Sequence, residues 1–149
     1  MQQTHFAEEI STLLDMPLEE AFSVEEQEEL YAIAYQCYGS GNYSDAAQFF
    51  TKLILCNPFS EKSWRGLASS KQMQHEYLAA IHAWSSSALL EAKDPLPHFH
   101  AAECLFSLNE KEDALKALLA AESLLAPNEA DNAIRNKITI LKQVHSNGQ

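Results

Sequence analysis

Residues 27–60 read QEELYAIAYQCYGSGNYSDAAQFFTKLILCNPFS, residues 61–94 read EKSWRGLASSKQMQHEYLAAIHAWSSSALLEAKD, and residues 95–128 read PLPHFHAAECLFSLNEKEDALKALLAAESLLAPN. The three segments align without a gap at a period of 34 residues. Ala34, Ala68 and Ala102 share one slot, and Ala46, Ala80 and Ala114 share another. Phe50, Trp84 and Leu118 hold a bulky slot, while Gly41, His75 and Asn109 hold a turn slot. Four independent slots on one period mark an internal repeat.

A period of this length is the tetratricopeptide spacing, in which each unit is a helix–turn–helix. Alanine suits the place where two helices of a hairpin press together at close range, and the bulky slot fills space against the next hairpin. The predicted fold is all-α: three tetratricopeptide hairpins in a right-handed α-solenoid, over 27–60, 61–94 and 95–128. An N-terminal amphipathic helix and linker (1–22) precede them, and a C-terminal capping helix (129–145) follows, all in one domain.

Composition agrees. Nearly half of the 149 residues are apolar, which excludes an intrinsically disordered class. Glycine and proline are few and helix formers dominate. Net charge is −11, with no Lys or Arg before Lys52. Ten acidic residues crowd that first part, among them Glu8, Glu9, Asp15, Glu19, Glu20, Glu25 and Glu26. A nucleic-acid footprint or a polybasic membrane patch needs the opposite sign, so neither partner is expected. Cys37, Cys56 and Cys104 are odd in number and form no CxxC; all three are read as buried free thiols of a reducing compartment. Neither a signal peptide nor a membrane-spanning run is visible, so a cytoplasmic protein is expected.

Local signals place the elements. Phe6, Ile10, Leu13 and Leu14 fall on one helical face before Met16-Pro17 breaks the pattern. That face packs either on the repeats or on a second copy of the chain. Ser23 with Glu26 has capping-box spacing, so the first repeat helix begins there. Asn57-Pro58 closes the first hairpin, Ser60 is a candidate cap for the second, and Asp94-Pro95 should cap the third with proline at the first helical position. Expected packing residues include Trp64, Leu67, Ile81, Ala88, Leu105 and Leu115, with Ala130, Ile134, Ile138, Leu141 and Val144 on the closing helix.

Candidate binding residues lie on the inner face of each pair's first helix, at positions packing does not need. They are Tyr31, Tyr35 and Tyr38, then Lys62, Arg65, Ser69 and Gln72, then Leu96, Phe99, Glu103 and Phe106. Exposed aromatics around a polar centre suit an extended or part-helical peptide with apolar anchors. The alternative reading is that some of them finish the core. On the binding reading, Tyr35 and Phe99 are expected to be dispensable for folding. No catalytic constellation competes: there is no HExxH, no Gly-rich phosphate loop and no nucleophile elbow. His100 and Cys104 make half a zinc site at most. Neither an enzyme nor a cofactor nor a metal is expected.

The chain resembles the class II chaperones of bacterial type III secretion, a tetratricopeptide family that serves hydrophobic translocator proteins. The resemblance is carried by His100-Ala101-Ala102-Glu103-Cys104-Leu105, by Leu30-Tyr31-Ala32-Ile33-Ala34 with Tyr38, by the turn Ser40-Gly41-Asn42-Tyr43-Ser44-Asp45-Ala46, and by Ala80-Ile81-His82. It implies a chaperone that holds a secreted translocator in the bacterial cytoplasm before export. An extended client segment of Pro-x-Leu-x-x-Pro type would lie in the concave groove, against Tyr31, Tyr35, Tyr38, Phe99 and Phe106. It also implies a homodimer through the N-terminal helices, here Phe6, Ile10, Leu13 and Leu14. The chain departs from the family at His75, a slot often held by glycine, and at Lys111, which replaces a turn aromatic. The competing class is a general tetratricopeptide adaptor or a scaffold of the secretion apparatus. The Lys/Asn/Arg clamp of one such adaptor is missing, since its positions show Tyr31, Tyr35, Leu96 and His100.

Overall fold

The computed structural model describes Glu8 and residues 22–146. Among them are seven α-helices and no strand: α1 (Val24–Gly39), α2 (Tyr43–Cys56), α3 (Glu61–Met73), α4 (Tyr77–Leu90), α5 (Leu96–Ser107), α6 (Lys111–Ser123) and α7 (Glu129–Ser146). Each of the first six packs on its neighbours in sequence, and α1 also touches α3. The expectations for Phe6, Ile10, Leu13 and Leu14 lie outside the described residues.

The helix starts follow local chemistry. Ser23 takes extended backbone angles and its Oγ accepts the Glu26 N–H at 3.2 Å, so the cap falls where the capping box put it. Glu25 and Glu26 then sit at the positive end of the helix dipole. Ser60 occupies the cap position of α3, but its hydroxyl pairs with Ser63 Oγ at 3.1 Å and makes no backbone cap bond. The third hairpin starts one residue later than its sequence suggests. Pro95 is the cap residue and Asp94 Oδ1 accepts from the Leu96 N–H at 2.9 Å, while Pro97 occupies the first turn.

The turn slot explains itself through backbone angles. Gly41, His75 and Asn109 have φ of 84°, 60° and 62°. Each ends its helix in the same pair of bonds. Gly41 N donates to Tyr38 O and Asn42 N to Cys37 O; His75 N donates to Gln72 O and Glu76 N to Lys71 O; Asn109 N donates to Phe106 O and Glu110 N to Leu105 O. This is the Schellman closure, which needs a left-handed residue. Glycine adopts it freely, and histidine and asparagine are among the side chains that tolerate it.

Six alanines, in two repeat slots, fix the contact between paired helices. Ala34, Ala46, Ala68, Ala80, Ala102 and Ala114 are all fully buried. Around them lie three apolar clusters, one per hairpin, anchored by Phe49 and Phe50, by Trp84, and by Leu118. Ile138 of α7 is buried in the third cluster, with Ile134 and Leu141 half-buried beside it. Ala130 and Val144, expected on that face, are exposed, as is Leu115 of α6. Cys37 and Cys104 are buried free thiols, but Cys56 is only half-buried, at the end of α2. Burial, with a smaller push from Glu103, raises the Cys104 thiol to about 12. It therefore stays protonated and unreactive at neutral pH.

Among the described glycines, Gly66 is the one with no room for a side chain. A Cβ there would stand 2.3 Å from Cε1 of the buried Phe50 ring. Replacing Gly66 by alanine gains about 1 kcal/mol of helix propensity and forces overpacking worth about 1–3 kcal/mol. We expect Gly66→Ala to lower the urea midpoint at unchanged slope. A midpoint that stays or rises would show that the Phe50 ring moves aside at little cost.

Candidate functional site

The second half of α1 places Tyr31, Tyr35 and Tyr38 on one stripe, because i, i+4 and i+7 share a helical face. Tyr35 is 66% exposed, while Tyr31 and Tyr38 are half-buried. The Tyr31 ring stacks on Tyr35 at 6.4 Å between centroids and meets Phe50 edge-on at 5.8 Å. Tyr38 meets Tyr43 edge-on at 5.3 Å. Burial raises the Tyr31 hydroxyl pKa, helped by Tyr35 and Glu61 and opposed by Arg65; burial and Tyr43 raise that of Tyr38. Both phenols therefore stay neutral hydrogen-bond donors at physiological pH.

α3 supplies the opposite wall. Lys62 Nζ lies 4.3 Å from the centre of the Tyr31 ring, a cation–π contact. Tyr31, Tyr35, Tyr38, Lys62, Arg65 and Ser69 enclose one hollow of about 130 Å³, with Phe50 and Gly66 at its floor. These six residues of the sequence-predicted groove are thus brought together. Phe50 and Gly66 were not foreseen as lining. The signal was present: a glycine inside a helix, facing the bulky repeat slot.

Gln72 and Glu103 stand apart from the hollow, in a chain that ties three helices. Trp84 Nε1 donates to Gln72 Oε1 at 2.9 Å, and Gln72 Nε2 donates to Glu103 Oε1 at 3.2 Å. His100 Nδ1 lies 2.6 Å from the same Glu103 oxygen, and its ring stacks on Trp84 at 4.7 Å. This network joins α3, α4 and α5 around the second bulky slot, and it engages both side chains the sequence assigned to binding.

Phe99 and Phe106 belong to the third core cluster and are buried. The face of Phe106 is covered by His145 of α7, stacked at 4.0 Å and 6°. The apolar second end of the wall is therefore not an exposed surface; the alternative reading of these two residues as core describes their placement. Half-buried Leu96 sits at the start of α5. Among the described residues, no group of three or more His, Cys, Asp or Glu is arranged to hold a metal ion. No described helix is long and apolar enough to cross a membrane.

Burial separates the two aromatic ends in a measurable way. Tyr35→Ala should cost under about 0.5 kcal/mol of stability, as expected of an exposed position. Phe99→Ala should cost about 3–5 kcal/mol, which corrects the expectation that both are dispensable for folding. Urea unfolding of the two single variants checks this; equal losses would place Tyr35 in the core.

Residues 28–53, which cover most of α1 and most of α2, match the family model described as a tetratricopeptide repeat. The low calcium response locus protein H of Yersinia pestis is 37% identical over 83 residues, which is 56% of this chain and 49% of the relative. The chain thus spans about half the length of the curated relatives it matches. The Yersinia enterocolitica type III secretion chaperone SycD, solved in complex with a peptide of the translocator YopD, superposes with a TM-score of 0.78. It is 30% identical, and the match covers 85% of this chain and 98% of that one. PcrH of Pseudomonas aeruginosa, solved with the chaperone binding region of PopD, gives 0.78 at 27% identity, covering 86% and 97%. On that likeness over almost the whole of SycD, the chain belongs to the tetratricopeptide-repeat translocator chaperones of type III secretion.

Proposed function

We propose that this chain is a chaperone of a bacterial type III secretion system, acting in the cytoplasm, that holds a hydrophobic translocator protein through an extended segment before export. The observation that carries the reading is the aromatic hollow between α1 and α3, with Tyr35 largely open to solvent at its edge. It has room for one aliphatic side chain, close in size to engineered cavities that accept a benzene ring. The complexes of SycD and PcrH with translocator segments support the same use of the fold here.

Masking is the mechanism. A translocator carries membrane-inserting segments that aggregate in water. Lodging part of it against aromatic rings removes apolar surface from solvent and blocks early self-association. A few anchor contacts give moderate affinity, so export strips the client away without a chemical energy source. The three tyrosines suit this because each offers large contact area at small loss of side-chain freedom, with a hydroxyl left for the client backbone. The reading needs no catalysis and no cofactor.

Affinity capture from the native organism with mass spectrometry tests the function. The expected companion is a secreted protein with one or two apolar membrane segments. Capture of apparatus components alone, with no exported protein, would favour a scaffold instead. For the proposed homodimer through Phe6, Ile10, Leu13 and Leu14, deletion of residues 1–15 should shift the mass by light scattering toward monomer. An unchanged mass would sink that interface.

A further inference from the structure

Arg65 stands on the wall of the tyrosine hollow, yet its charge is already engaged. Its Nε donates to Glu61 Oε1 at 2.9 Å, and Nη2 donates to Asp94 Oδ2 at 2.5 Å. Nη2 also lies 2.7 Å from Glu61 Oε1. Burial alone would lower the Arg65 pKa, but the bonds to Asp94 and Glu61 outweigh it and raise it. Both carboxylates are themselves fixed from behind. The fully buried Ser87 hydroxyl of α4 donates to Glu61 Oε1 at 2.7 Å. Asp94 Oδ1 accepts the Leu96 N–H at the start of α5. A planar guanidinium held by two carboxylates, each anchored on a different helix, is a rigid arrangement. Counting Lys62 over the Tyr31 ring, the two cations on this wall and the two carboxylates that hold Arg65 sum to zero charge.

We propose, on the groove reading above, that Glu61 and Asp94 are specificity residues. By engaging Arg65 they keep the tyrosine hollow electrically neutral, so it takes an uncharged apolar anchor and rejects an acidic one. An incoming carboxylate would give up water and find the Arg65 guanidinium already bonded to Glu61 and Asp94. An aliphatic side chain gives up only ordered water and gains contact with the rings of Tyr31, Tyr35 and Phe50. Discrimination by such a repulsive element is a general route to specificity. Without the two acids, this wall would present two free cations and favour acidic segments.

Two isosteric variants separate charge from fold. Asp94→Asn retains an oxygen for the Leu96 N–H, and Glu61→Gln retains one for Ser87. The probes are a blocked Pro-Ala-Leu-Ala-Ala-Pro peptide and its counterpart with Asp in place of Leu, titrated by amide NMR shifts on α1 and α3. The wild-type chain should prefer the Leu peptide. Each variant, shown folded by its unfolding curve, should move the affinity ratio toward the Asp peptide by about threefold to fivefold, the scale of one screened charge pair. Salt at about 1 M should erase that gain. A ratio unmoved in both variants overturns the inference alone. Failure of the wild-type groove to bind either peptide overturns the groove reading, and this inference with it.

Discussion

Paired helices in this chain touch through alanines that retain no accessible surface. That contact sets everything else. With only a methyl group at Ala34 and Ala46, α1 and α2 approach closely, and their remaining side chains are forced outward to the flanks. One flank of α1 then carries buried Leu30 and Cys37, and the other carries the tyrosines. The same spacing repeats at Ala68 and Ala80 and at Ala102 and Ala114, so each hairpin adds to the array in one fixed way. Left-handed turn residues at Gly41, His75 and Asn109 bring each hairpin back on itself within a few residues.

Polar groups at the junctions do different work from the alanines. Arg65 with Glu61, Asp94 and Ser87 bridges α3, α4 and the entry to α5. Gln72 with Trp84, Glu103 and His100 bridges the same helices about two turns further along α3. Apolar contact is permissive about rotation, whereas these bonds fix direction. They hold the second and third hairpins in one register, so the face built from first helices keeps its shape. A cation–π contact links α1 to α3, and a ring contact links α1 to α2.

The repeat was legible because every slot on it carries a steric demand that few residues meet. Alanine at close approach, a bulky side chain beside it and a left-handed turn residue all show in the sequence at one period. Membership of the family was legible for the same reason, with His100 to Leu105 as its sharpest local piece. The groove was legible only where helical phase decides exposure. Tyr31, Tyr35, Tyr38, Lys62, Arg65 and Ser69 share a hollow as the phase required. Phe99 and Phe106 did not follow, because their exposure depends on what α7 covers, and His145 is distant in sequence. Spacing also could not show that Gln72 and Glu103 are spent on Trp84 and His100. Hydrogen-bond partners from another hairpin leave no periodic trace.

The closing helix buries a single residue fully, Ile138, while the tyrosine hollow is built from α1, α2 and α3. Nearest-neighbour coupling makes the two ends of such an array energetically separate. Peeling of α7 would therefore uncover Phe106 and leave the hollow standing. Local opening at the C-terminal end and the shape of the hollow are thus governed by different residues.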